Sequence, residues 1–253
     1  MQIHVVGCDG GIAPGKLTTC FQLSESLFVD AGSVCGGLGF DAQSKIRDIL
    51  ISHTHLDHIR DLGFLADNML GEIDRINLYA LPEVNRRLKE HFFNNAIWPN
   101  FTRIPSPQNP FYVLHDIEAE TKYDFGDITV LPVRVNHVVP SVGFVLEDQE
   151  GSVVISGDTG PTDRIWEVCK TYKNIRGFFV ELAFPNALQA IADASKHFTP
   201  ATLKKELIKF ERENTPIALY HLKPKYAQQI RKEIAAQENS AFRFLNNGEV
   251  IHY

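Results

Sequence analysis

At 253 residues, with 44% hydrophobic and 22% charged side chains, the chain can bury a large core, and its composition argues against long disorder. The formal net charge of -6 argues against a general nucleic-acid binder, though bound metal ions would let the same chain take a small anionic substrate. Four scattered cysteines, Cys8, Cys20, Cys35 and Cys169, form no Cys-x-x-Cys pair and so give neither a disulfide framework nor a cysteine zinc site.

The start, "MQIHVVG", enters a strand-like pattern at once, with no basic stretch leading into an apolar one. No apolar run approaches bilayer-spanning length, so a reduced, cytoplasmic location without membrane association is the default expectation. "IHVVG", "TCFQL", "LFVDAG" and "RDILIS" are short β-branched or alternating runs broken by glycine-rich turns. "DHIRDLGFLADNML" then reads as a helix with Ile59, Leu62, Leu65 and Met69 on one face. "RINLYAL" reads as a strand, after which Pro82 opens a helical stretch, "PEVNRRLKEHFFNNA". The segment "WPNFTRIPSPQNP" holds four prolines and predicts a loop or flap rather than regular structure. A second strand-rich block follows: "FYVLH", "DITVLPVRV", "SVGFVLED" and "SVVISGD". The last quarter mixes predicted helices (Thr162 to Tyr172, Pro200 to Glu213, Pro224 to Gln237) with the strands "GFFVEL", "PIALY" and "EVIHY". Two strand-rich halves, each followed by helices and without a linker, predict one α/β sandwich domain over 1–253, with a flap near 83–112.

The chemistry concentrates in "ILISHTHLDHIRDLGF", where His53, His55, Asp57 and His58 crowd into six positions after an apolar run. On an extended backbone His53 and His55 point to the same side, while Asp57 and His58 fall where the helix begins and turn elsewhere. The string can thus give two ligands to one ion and two to a neighbour. Imidazole and carboxylate donors suit zinc, and less exclusively manganese or iron. The plainer alternative is a helix-capping Asp57 among polar turn histidines, but four ligand-type side chains packed this tightly favour metal. His137, Asp158 and His221 each follow an apolar run as well, where loops crowd at one sheet edge. The loop "GCDGGIAPG" would let backbone approach a ligand closely, although turns alone explain it.

"HTHLDH" resembles the His-x-His-x-Asp-His signature of the metallo-β-lactamase superfamily, and His137, Asp158 and His221 fall in the order of its remaining ligands. The resemblance covers nearly the whole chain and implies a four-layer αββα sandwich with two metal ions at the sheet edge. It implies that His53, His55 and His137 hold one ion, that Asp57, His58 and His221 hold the other, and that Asp158 bridges them. "LFVDAG" resembles the superfamily's second-strand motif, making Asp30 a support for the ligands.

Within the superfamily, "HLDHIRDLGFL", "NNAIWPNF", "NHVVPSVGFVL", "SGDTGPTD", "SKHFTP" and "YHLKP" together resemble the class II cyclic-nucleotide phosphodiesterases. Asp61 departs from that pattern, which has a small residue there. The resemblance implies hydrolysis of a 3′,5′-cyclic nucleotide, cAMP or cGMP, to the 5′-monophosphate by a hydroxide shared between the two ions. Asp57, held by His58 and an ion, would orient the nucleophile, and His197 would donate a proton or bind the phosphate. Trp98 would either stack on the base or anchor the flap. His4, His91, His115 and His252 lack such a context and read as structural. The implied partner is a small nucleotide rather than a stable nucleic acid; a homodimer with the flap near the neighbouring subunit is an open expectation. Rival readings are a phosphodiesterase acting on RNA 3′ ends or linear diesters, a thioester or lactone hydrolase, and a non-catalytic nucleotide-binding protein.

Overall fold

The computed structural model describes residues 1–210, 215–237 and 241–253. Two seven-stranded mixed sheets face each other with helices on their outer sides, the expected αββα sandwich. The first sheet runs in the order Val250–His252, Gln2–Gly7, Cys20–Gln22, Leu27–Val29, Asp48–Leu50, Ile76–Ala80, Tyr112–Asp116. The second runs Phe242–Phe244, Ile217–Tyr220, Ile175–Glu181, Gly151–Ile155, Val142–Asp148, Ile128–Arg134, Tyr123–Phe125. In both, an antiparallel part gives way to parallel strands: from Leu27–Val29 onward in the first, and from Gly151–Ile155 to Phe242–Phe244 in the second.

Why the apolar runs are continuous rather than alternating follows from burial on both faces. Val153, Ile155 and Phe179 face the core between the sheets, while Val154, Phe178 and Val180 face the outer helices. Phe21 of the first sheet meets Phe179 at 5.4 Å and Tyr220, edge-on, at 5.3 Å, joining the two layers. Outside, Trp166 on helix Arg164–Thr171 stacks on Phe178 at 5.2 Å, and its Nε1–H donates to Glu206 at 3.0 Å. On the other side, Leu62, Leu65 and Met69 of helix Asp61–Met69 are buried, as their spacing predicts.

Some boundaries differ from the sequence reading. The helix after the histidine cluster is two segments, Leu56–Ile59 and Asp61–Met69. The helix opened by Pro82 is α-helical to Arg87 and then widens into a π turn, Leu88–Phe92. The proline-rich segment contains a short ribbon pairing Pro105–Ser106 with Asn109–Pro110, which prolines tolerate because it is an isolated two-stranded piece. The helix predicted over Pro200 to Glu213 is α-helical over Pro200–Leu207, continues as a tight turn over Ile208–Phe210, and has its last positions outside the described residues. Its start is as expected: Thr199 caps it, accepting from Thr202 N, and Pro200 follows. Among the described residues, no helix is long and apolar enough to cross a membrane.

Candidate metal centre

Strands of both sheets end at one edge, and the candidate residues lie just beyond those ends. Asp30 follows Leu27–Val29, the histidine string follows Asp48–Leu50, His137 follows Ile128–Arg134, Asp158 follows Gly151–Ile155, and His221 follows Ile217–Tyr220. The backbone stays extended through His55 (φ -68°, ψ 146°), so His53 and His55 share a side, their rings 4.7 Å apart. The turn into helix Leu56–Ile59 then re-aims Asp57 and His58.

The donors gather in two groups around Asp158. The donor atoms of His53, His55, His137 and Asp158 lie within 4.8 Å of one another, and so do those of Asp57, His58 and His221. Asp158 Oδ2 is 3.7 Å from His53 Nε2 and 3.2 Å from both His58 Nε2 and His221 Nε2, so it stands between the halves. His137 Nε2 faces His55 Nδ1 at 3.1 Å. A third grouping, Asp158, His197 and His221, sits at the same spacing, so His197 adjoins the second half.

Hydrogen bonds behind the rings decide which nitrogens face inward. His58 Nδ1–H donates to Asp30 Oδ2 at 2.7 Å. His53 Nδ1–H donates to Ser52 Oγ at 3.0 Å, and that hydroxyl donates to Asp30 at 2.8 Å. His137 Nδ1–H donates to the Lys196 carbonyl at 3.2 Å. These bonds occupy the Nδ1 atoms and turn the Nε2 atoms to the centre, where an ion would take them unprotonated. His53 Nε2, His58 Nε2 and Asp158 Oδ1 are buried without a hydrogen-bond partner. Buried polar atoms are normally satisfied. Three orphans converging on one point fit a pair of divalent cations, which the donor chemistry also suits.

The electrostatics agree. Burial pushes the pKa of His53 well below the usual value, that of His137 down to about 4 and that of His221 to about 3. These rings are therefore neutral at physiological pH, with lone pairs free for an ion. Burial also opposes charge on Asp158, but His221 and His58 beside it hold its carboxyl well below the ordinary range. His58 is the exception: burial disfavours its charged form, but Asp158 and Asp30 on either side override that and raise its pKa, so an incoming ion would have to displace a proton from its Nε2.

Two residues of the centre sit in left-handed backbone: the supporting Asp30 at φ 59° and the candidate ligand His221 at φ 65°. His221 is held there by the early glycine loop. Its N–H donates to the Cys8 carbonyl at 2.7 Å, and Gly10 N–H donates to Leu222. A Cβ on Gly10 would lie 2.3 Å from the His221 carbonyl and 2.9 Å from its ring. The close backbone approach expected for "GCDGGIAPG" is thus to a candidate ligand residue. Gly10→Ala should displace His221 and weaken metal binding about 10–100-fold, measured by metal titration.

The Asp57 carboxylate has His221 Nε2 and Lys223 Nζ beside it, each at 3.7 Å, and its donor atom lies within 4.8 Å of those of His58 and His221. Trp98 lies against helix Asp61–Met69. Its ring meets Phe64 at 5.0 Å, and a Cβ on Gly63 would come within 2.7 Å of it. Asp61, the departure from the class II pattern, is buried, accepts from Cys35 N and Gly36 N, and pairs with Arg60. It ties helix Asp61–Met69 to the turn at Val34–Gly37. Of the histidines read as structural, His4 bonds Gln22, while His115 bonds Asn77 and stacks on Tyr79.

Sequence reasoning missed Glu181. It ends strand Ile175–Glu181, is fully buried, and accepts from His197 Nδ1–H, Phe198 N–H and Thr159 N–H at 3.1, 3.1 and 3.3 Å. Its sequence signal was weak: an acidic residue closing the strand within "GFFVEL". Burial opposes charge on His197, but Glu181 beside it overrides that and raises its pKa.

A family model described as "Beta-lactamase superfamily domain" matches residues 39–237, a span that includes all seven donors and His197. The chain belongs to the beta-lactamase superfamily. Within that superfamily it is similar to the probable 3′,5′-cyclic-nucleotide phosphodiesterase of Yersinia pestis, at 26% identity over 93% of this chain and 82% of that protein. It is also similar to the 3′,5′-cyclic-nucleotide phosphodiesterase of Aliivibrio fischeri, at 28% identity over 83% of this chain and 75% of that one. Among solved structures, unliganded yeast PDE1 superposes with a TM-score of 0.82 over 98% of both chains, at 17% identity, a likeness of fold. The superfamily's fold and this donor set are together those of an enzyme, a metallo-hydrolase.

Proposed function

We propose that the chain hydrolyses a 3′,5′-cyclic nucleotide, cAMP or cGMP, to the 5′-monophosphate, using two divalent ions, zinc in the first instance, with manganese or iron accepted by the same donors. His53, His55, His137 and Asp158 would hold one ion; Asp57, His58, His221 and the shared Asp158 would hold the other. Such ions supply Lewis acidity toward phosphoryl oxygens and ionise a water at neutral pH. The rest falls to the chain's own residues. Asp57, at the more open rim and next to Lys223, would accept a hydrogen bond from the attacking water and aim it at phosphorus. As the P–O3′ bond breaks, the 3′ oxygen needs a proton. His197, with its Nδ1–H given to Glu181, keeps its other nitrogen for that transfer. Residues 1–253 would act as one catalytic unit, with the 83–112 flap fastened by Trp98.

The observation that carries this reading is a buried, raised-pKa histidine on a buried carboxylate, set beside a two-half donor cluster. Phosphodiester cleavage needs both an activated water and an acid for the leaving alkoxide. The test is turnover of zinc- or manganese-loaded protein on cAMP, cGMP, bis(p-nitrophenyl) phosphate and a thioester, with the product identified by chromatography. A 5′-monophosphate is the expected product, lost on chelation and restored by added metal. Turnover of the generic diester without either cyclic nucleotide would sink the substrate assignment and leave the hydrolase standing.

A further inference from the structure

The two halves of the donor cluster differ in charge. The first pairs three imidazoles with the shared Asp158 carboxylate; the second pairs His58 and His221 with two carboxylates, Asp57 and Asp158. Taken alone, the second half is the more negative and would attract a divalent ion more strongly. Lys223 changes that balance. Its Nζ lies 3.5 Å from His221 Nε2 and 3.7 Å from Asp57 Oδ2, the atoms that would carry the second ion. The other lysine in this region, Lys196, donates to the His137 carbonyl at 3.3 Å rather than meeting a ligand atom.

The base of the Lys223 side chain is fixed. Its backbone N–H donates to Ala183 at 3.3 Å, and Pro224 opens the next helical turn directly after it. Two residues back, His221 is pinned by Cys8. The ammonium is therefore built into the rim of the second half. At such distances a like charge opposes an incoming cation strongly, because partly buried charges are poorly screened.

We infer that Lys223 sets the order of metal loading: by cancelling one carboxylate charge in the Asp57–His58–His221 half, it leaves both halves with the same net charge and this half with two imidazoles against three, so that it becomes the weaker site, filled second. This rests on the reading that the cluster holds two ions. The side chain is 28% exposed, so its replacement should not disturb the fold.

The experiment is a zinc titration of the full chain against a chromophoric chelator, with bound zinc counted by mass spectrometry. Wild type should bind two ions in separable steps. Lys223→Met should tighten the weaker step at least about tenfold and leave the stronger step nearly unchanged. Lys223→Arg, which keeps the charge, should preserve the wild-type separation. Tightening of both steps together, or no change in Lys223→Met, would overturn the inference; thermal melts of both variants show whether the fold is intact. A wild-type protein that takes up only one ion at saturating zinc would instead overturn the two-ion reading itself, a result distinct from either.

Discussion

Asp158→Ala is expected to abolish activity, to below roughly one thousandth of wild type, and to remove at least one equivalent of bound metal. Among the described residues Asp158 is the carboxylate that faces both halves, within 3.2–3.7 Å of His53, His58 and His221. Removing it also leaves His58, whose protonation it supports, paired with Asp30 alone. The stability effect has a definite sign with pH. The folded-state pKa of Asp158 is depressed below its ordinary 3.8, so its ionised form contributes stability above that value and loses it as pH falls through the folded pKa. The variant should lack that acid-side dependence, as denaturant melts between neutral and acid pH would read. Retention of two ions and of turnover would mean the halves do not share this residue.

His197→Ala is expected to keep both ions while slowing turnover about 10²–10⁴-fold, the range for a lost general acid. Metal counting is essential here, because the donor atom of His197 lies as close to those of Asp158 and His221 as ligands of one ion would. Loss of an ion would reassign His197 as a ligand, and unchanged turnover would remove it from the mechanism. A pH profile separates the roles further. His197 acts protonated and its pKa is raised by Glu181, so activity should fall as pH rises through that raised value. Glu181→Gln takes away the raising charge and should move this alkaline limb to lower pH without removing metal. A limb that stays in place would show that Glu181 only supports the fold.

Much of the site was legible because each donor obeys one rule: a metal-binding side chain directly after an apolar strand. "HTHLDH", His137, Asp158 and His221 all follow it, and parallel strands carry their ends to one edge. Glu181 closes its strand rather than following it, and a single glutamate at a strand end signals a buried partner only weakly. Lys223 is two residues from His221, yet nothing local says whether a lysine there points to water or back over Asp57. The two readings of Trp98 could not be separated either, since its environment is supplied by Gly63 and Phe64 on another element. The short ribbon at Pro105–Ser106 and Asn109–Pro110 escaped because proline content alone argues against strands.

The sequence by itself determined an α/β sandwich, because continuous apolar runs require sheets buried on both faces, and the donors of "HTHLDH", because a ligand-rich turn needs no distant partner to be recognised; the four-layer form and the roles of His137, Asp158 and His221 followed from the resemblance to the superfamily. The tertiary structure decided which atoms of those donors face inward. That depends on contacts between residues far apart in the chain: Asp30 behind His58, Lys196 behind His137, Gly10 beneath His221 and Glu181 behind His197. Each is a hydrogen bond or a packing limit of a few ångströms, and only the packed sheets bring such groups within that range.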